Sequence, residues 1–256
     1  MRARDVGIPA GIVLAVGGVV ASLAQPRHNV GPQGIAPQVA AVRPAVVHVE
    51  HGGVCQGSGA IIGADGIVFT AAHVTEGGTD PNRFRVTLDD GRRFGVLEDT
   101  RFDVAFLLLK DVNEPLPTVP MADLSGMRVG DPVFIMGSSR GYVNFNSVSL
   151  GIISAMQRNL DDPRPYGYGW AVMFQSTSPA FPGNSGGPVF DMQGRAVGVL
   201  VAGMAPTLNY SVLVAVFRDQ VEVVRQAFAL MRFKPPEMAP VDAGWGYTSK
   251  DYYRER

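Results

Sequence analysis

A serine framed by glycines is the place where this sequence could do chemistry: Pro182-Gly183-Asn184-Ser185-Gly186-Gly187-Pro188-Val189. Glycine lets a backbone come close to a bound carbonyl and turn its amide N–H groups towards it, which is what a developing oxyanion needs. A serine hydroxyl is a weak nucleophile until a base takes its proton, and that base needs an acid to orient it. The same letters fit G-x-S-x-G, the elbow of α/β-hydrolases, which requires Ser, then an acid, then His along the chain. No histidine follows Ser185, so that order is excluded. A subtilisin order of Asp, His, Ser needs an acid well upstream of the base, and only the aspartates Asp5 and Asp65 precede His73. The order His, Asp, Ser remains.

His73 ends the apolar run Phe69-Thr70-Ala71-Ala72-His73-Val74, where a side chain can face a cleft while its neighbours pack. Asp103 stands directly before the most apolar strand of the chain, Val104-Ala105-Phe106-Leu107-Leu108-Leu109. A carboxylate at that margin is costly to bury unless a donor is paired with it, and a histidine N–H would serve. Alone, the histidine reads as structural and the aspartate as a turn or cap. Their order with the glycine-framed serine is what raises them to candidates. The four histidines, His28, His48, His51 and His73, lack the helical spacing of a zinc site, and the single Cys55 allows neither an intramolecular disulfide nor a CxxC pair. Neither a metal nor another cofactor is expected.

The elements that must position these residues are short. β-Branched runs punctuated by glycine predict strands at 45–49, 58–62, 66–70, 84–88, 93–97, 104–109, 132–136, 148–154, 172–175, 188–191, 196–201 and 211–216. Their close spacing suits a sandwich or barrel better than βαβ units. Phe217, Val221, Val224, Phe228 and Met231 recur at helical spacing until Pro235-Pro236, which predicts one closing helix over 217–233. With 46% hydrophobic residues and 256 residues in all, the chain can bury one sizeable core or two adjoining ones. The formal net charge of -1 offers no footprint for a phosphate backbone, so nucleic acid is not an expected partner.

Arg2 and Arg4 precede an uncharged apolar run, Val6 to Ala24, of 19 residues. As a helix it would span about 28 Å, close to a bilayer core. Residues 1–24 therefore read as a signal peptide or a retained anchor, the length favouring the anchor, and either places the body outside the cytoplasm, periplasmic or secreted. Residues 25–38, rich in Pro and Gly, read as a linker, 39–233 as the folded domain and 234–256 as a flexible tail.

The chain resembles the trypsin-like peptidases, and among them the HtrA (DegP-like) branch, from about Val39 to Phe228. The resemblance rests on Gln56-Gly57-Ser58-Gly59-Ala60-Ile61-Ile62, Thr70-Ala71-Ala72-His73-Val74, Asp103-Val104-Ala105-Phe106-Leu107, Val129-Gly130-Asp131-Pro132-Val133, Gly151-Ile152-Ile153-Ser154-Ala155 and Gly183-Asn184-Ser185-Gly186-Gly187-Pro188. It implies an all-β fold of two six-stranded barrels of the chymotrypsin type with a C-terminal helix, the site lying in the cleft between them. It further implies a serine endopeptidase with a His73, Asp103, Ser185 triad, and an oxyanion hole at Gly183, Asn184 and Ser185 in which Asn184 supports the loop. A catalytically silent binding module on the same fold is the alternative. The substrate-binding residues expected are Pro179, Leu200, Val201 and Leu213, none of them acidic, which disfavours Lys or Arg next to the cleaved bond. The partners expected are a protein or peptide substrate, the membrane through residues 6–24 if the anchor is retained, and a second copy of the chain in a homo-oligomer. Two features depart from the family pattern. About thirty residues follow Gln226, too few for the PDZ domain usual after such proteases, and the segment 157–170 reads as an enlarged surface loop. The bulk of Phe181-Pro182 before the glycine leaves the resting shape of the oxyanion loop open.

Overall fold

Among the described residues, seven of thirteen strands are drawn from the N-terminal half of the chain, where apolar β-branched runs alternate with glycine turns. The computed structural model describes residues 34–52, 54–75, 84–101, 104–123, 126–158 and 173–232. The N-terminal sheet contains β1 (Val46–His51), β2 (Val54–Gly63), β3 (Ile67–Ala71), β4 (Phe84–Thr87), β5 (Arg93–Phe94), β6 (Val96–Arg101) and β7 (Val104–Leu109). Its order is β5-β4-β1-β2-β3-β7-β6. The two ends of that order are adjacent in sequence and separated only by Gly95. Counted as one strand bent at Gly95, β5 and β6 bring the sheet back to β4 and reduce seven strands to the six expected.

The C-terminal half forms a closed barrel from β8 (Pro132–Gly137), β9 (Ser147–Arg158), β10 (Met173–Ser176), β11 (Pro188–Phe190), β12 (Ala196–Ala205) and β13 (Leu208–Leu213), in the order β10-β13-β12-β11-β8-β9. The fold is the expected pair of β-barrels with a C-terminal helix. Residues 111–123 strap one barrel to the other, the Val119 N–H donating to Ile61 O and the Ala122 N–H to Ala196 O, at 2.9 and 2.8 Å.

Among the described residues three short α-helices finish the fold. Helix α1 (Ala36–Val42) begins with Pro37 in its first turn and spans the boundary expected at Val39, with Ile35, Val39 and Val42 packed on the core. Helix α2 (Ala72–Thr75) is a single turn directly after β3, so His73 sits on a helical turn rather than at a strand end. Helix α3 (Val221–Arg232) starts four residues later than its periodicity predicts. Phe217 stays outside it, buried edge-on against Phe69 and Phe106 of the first barrel, while Val221, Val224 and Phe228 bury the inner face of α3. Residues 214–216 are a 3-10 turn, not the end of a strand. Residues 1–33, most of the loop expected over 157–170, and the tail expected over 234–256 lie outside the described residues, as does the Cys55 side chain. Among the described residues no helix is long and apolar enough to cross a membrane.

Candidate active site

Ser185 lies half-buried in the loop between β10 and β11, and this loop is wired to the first barrel. The Ser58 N–H donates to Ser185 O at 2.7 Å. The Ser58 hydroxyl donates to Gly183 O at 2.7 Å and accepts from the Ser138 N–H at 2.8 Å. These contacts need glycine: a Cβ at Gly57 would sit 2.5 Å from Ser185 O and 2.6 Å from Val74 Cγ2. A Cβ at Gly186, whose φ is +80°, would collide with Thr70 Oγ1 and Ser58 O. Two glycines thus let the Ser185 loop press onto β2, the end of β3 and α2, the turn that carries His73. The close approach of two backbones is the physical reason for the glycine frame.

The orientation of each peptide in the loop follows from its hydrogen bonds. In a trans peptide the C=O and N–H point in opposite directions. Pro182 O accepts from the Arg140 N–H at 2.7 Å, so the N–H of Gly183, in the same peptide, points away from Arg140. Asn184 O accepts from the Gly187 N–H at 2.9 Å, so the N–H of Ser185 points away from that turn. The peptide between them is held at both ends, the Asn184 N–H on Phe181 O at 3.0 Å and Gly183 O on the Ser58 hydroxyl. Among the described residues, the N–H groups of Gly183 and Ser185 donate to no backbone carbonyl, whereas those of Asn184, Gly186 and Gly187 all do. Gly183 has φ +99°, which lets its N–H turn this way without a Cβ meeting Ser138 O 2.5 Å away. Phe181, 44% exposed, directs its bulk to solvent. The loop thus leaves two N–H groups beside Ser185 without backbone acceptors among the described residues.

The Arg140 end of this wiring is anchored too. Arg140 itself is in the left-handed region at φ +57°. The next turn, residues 141–144, places the Tyr142 hydroxyl on the carboxylate of Glu50 at 2.6 Å, where it also accepts from Arg93 Nη2 at 3.1 Å. Glu50, 5% exposed, further accepts from Thr87 Oγ1 at 3.3 Å. Burial and the Glu50 carboxylate both push the Tyr142 phenol above its ordinary value, so it stays protonated and donating. His48 packs on the Tyr142 ring at 4.5 Å between centroids, and burial pulls its pKa below the usual value against the opposing pull of Glu50.

Of the residues expected at the site, Ser185 and Leu200 line one cleft of about 380 Å³, together with Ala180, Phe181, Pro182, the hairpin residues Ala202 to Pro206, and Asn209. His73 is half-buried on α2. Asp103 lies outside the described residues; its neighbour Val104 pairs with Ala71, two residues before His73. Asn184 is buried in the loop turn. The other residues expected to bind substrate do not line this cleft. Val201 turns into the main core because successive side chains of β12 alternate faces, and Leu213 packs in the second-barrel cluster. Pro179 is exposed and outside the cleft lining. The wall is instead the extension of β12 to Ala205 and its turn into β13, which the expected strand end at Val201 missed; Pro206 was the available turn signal. Also missed were the ties made by Ser58, Arg140 and Tyr142. Among the described residues no group of His, Cys, Asp or Glu is gathered to hold a metal ion.

Residues 57–199 match the family described as a trypsin-like peptidase domain. A DegP-like periplasmic serine endoprotease of Halomonas elongata is 40% identical over 146 residues, 56% of this chain and 28% of its own length. The mitochondrial serine protease HTRA2 of Bos taurus is 31% identical over 195 residues, 70% of this chain and 40% of its own. This chain therefore spans less than half the length of these relatives. Among solved structures, the HtrA-type protease AlgW with a decapeptide superposes with a TM-score of 0.63 at 22% identity, covering 75% of this chain and 67% of that one.

Proposed function

The chain belongs to the trypsin-like peptidase family, and we propose that it is a serine endopeptidase acting on unfolded or exported proteins, with Ser185, His73 and Asp103 as its triad. In this reading Ser185 Oγ attacks the scissile carbonyl while the His73 imidazole takes its proton. The oxyanion is held by the N–H groups of Gly183 and Ser185, the C–N bond breaks, and the proton passes from His73 to the leaving amine. Water then repeats the sequence on the acyl-enzyme with His73 again as base, releasing the acid and restoring Ser185. Asp103 holds the imidazole in the tautomer this requires and stabilises the imidazolium.

The observation that carries the reading is the pair of N–H groups beside Ser185, left without backbone acceptors and oriented by peptides whose carbonyls are bound on the opposite side. The cleft touching Ser185 takes the side chain preceding the cut. Its lining holds no charged residue, so Lys and Arg would be desolvated there without a counter-ion. We further propose that the protein is exported, residues 6–24 serving as signal or anchor; the periplasmic name of the Halomonas relative supports this.

The test is labelling of the purified full-length chain with a fluorophosphonate probe, paired with casein degradation. Both are expected for the parent and neither for Ser185→Ala. Absence of labelling in the folded parent, or casein cleavage that survives Ser185→Ala, would refute the reading, the first result pointing to a silent binding module. Fractionation with N-terminal sequencing tests export, and a cytoplasmic full-length chain would refute it.

A further inference from the structure

The cleft beside Ser185 contains one polar side chain deep in its wall. Asn209 is the second residue of β13 and only 1% exposed, yet it lines the cleft. Its Nδ2 lies 2.7 Å from Ser178 O and 2.9 Å from Pro206 O. Two carbonyls can only be met by the NH₂ end of the amide, so the network fixes which way the group is turned. Both amide hydrogens are then committed and the Oδ1 acceptor is directed elsewhere.

Where Oδ1 lies follows from Gly203. A Cβ built on Gly203 would sit 2.8 Å from Asn209 Oδ1. The oxygen therefore crosses the face of β12 where a side chain would otherwise stand, in the part of the strand that forms the cleft wall. Among the described residues no donor meets this oxygen. Apart from Ser185 itself, the side chains of the rest of the lining are apolar, among them Ala180, Leu200, Ala202 and Met204.

Resting on the protease reading above, we propose that Asn209 Oδ1 is a specificity-determining acceptor, and that the residue preceding the cut is preferred when it is short and carries a hydrogen-bond donor, Thr or Ser over their apolar counterparts. Thr and Val have nearly the same shape, so the walls treat them alike and only the hydroxyl distinguishes them. A hydroxyl reaching Oδ1 replaces the water it loses on entering the cleft, whereas an isopropyl group strips Oδ1 of water and returns no donor. A single neutral hydrogen bond of this kind corresponds to about three- to tenfold in kcat/KM.

The experiment measures kcat/KM of the full-length chain on quenched peptides differing only at that residue, Thr against Val and Ser against Ala. The expected result is Thr over Val by about three- to tenfold, collapsing towards equality in Asn209→Ala. Val equal to or better than Thr overturns the inference, as does a preference for Thr that persists unchanged in Asn209→Ala. Should Asn209→Ala fail to fold through loss of the Ser178 and Pro206 contacts, the Thr/Val ratio of the parent decides alone. A parent that cleaves none of the peptides and does not react with fluorophosphonate removes the protease reading itself; one that labels and cleaves with the wrong ratio removes only the role of Asn209.

Discussion

Ser58→Ala tests the wiring of the oxyanion loop most directly. The Ser58 hydroxyl is buried and makes two bonds across the cleft, from the Ser138 N–H at 2.8 Å and to Gly183 O at 2.7 Å. Alanine deprives the Ser138 N–H of that acceptor and Gly183 O of its donor. A buried polar group losing its partner costs about 1–3 kcal/mol. Gly183 is half-buried and water can reach it, so it belongs at the low end; the sum is about 2–4 kcal/mol. For a domain of this size that corresponds to a fall in melting temperature of about 4–16 °C. The Gly183–Asn184 peptide, which joins the two peptides that carry the Gly183 and Ser185 N–H groups, also loses one of its two restraints, so both N–H groups are less firmly held although the Pro182 and Asn184 carbonyls keep their partners. Complete loss of one oxyanion donor lowers kcat by about 10²–10³, which sets the ceiling of the expected effect. The assay is thermal melting together with kcat on a peptide substrate. Asp191→Ala is the control: Asp191, 8% exposed, accepts the Gln193 and Arg195 N–H groups at 2.9 and 3.0 Å in a turn apart from the cleft. It is expected to lose comparable stability with kcat retained. A Ser58→Ala protein with unaltered kcat, or one whose kcat falls no more than that of the Asp191 control, would refute the reasoning.

Asp103→Asn is expected to leave the fold intact and lower turnover by about 10⁴, through the wrong imidazole tautomer; near-parental activity would show the acid to be another residue. Gly186→Ala places a Cβ 2.7 Å from Ala71 N at φ +80°, and left-handed strain of about 1–2 kcal/mol plus overpacking of about 1–3 kcal/mol should lower both melting temperature and labelling rate. For His48 the folded pKa lies below the unfolded value, so below pH about 6.5 the unfolded chain takes up protons that the folded chain refuses. Stability is therefore full above that pH and declines as pH falls from there towards the lowered folded value. Melting curves against pH should show this decline, and His48→Leu should flatten it; an equal slope in the variant would assign the effect to other groups.

Glycine-punctuated apolar runs were enough to place most strands in order, because period-two burial and turn residues are local properties. The apolar faces of Val221, Val224 and Phe228 likewise announced α3. Chain order alone removed two of the three arrangements open to a serine nucleophile, since it needs only the positions of the histidines, the aspartates and Ser185. The departures lie where chain segments remote in sequence meet. Phe217 continues the helical spacing of α3, but packing on Phe69 and Phe106 holds it outside the helix. The cleft wall was placed on Val201 and Leu213 because a list of apolar residues does not say which face of β12 or β13 turns inward; barrel closure and the register Gly203↔Asn209 decide that. The restraints on the oxyanion loop were least legible of all. Ser58 and Gly183 are 125 residues apart, and their bond exists only because glycines at 57 and 186 let two barrels touch backbone to backbone. Local composition can announce a nucleophile and the strands around it, but the direction of a peptide N–H is set by what its carbonyl finds on the other side, and that partner is supplied by the tertiary fold.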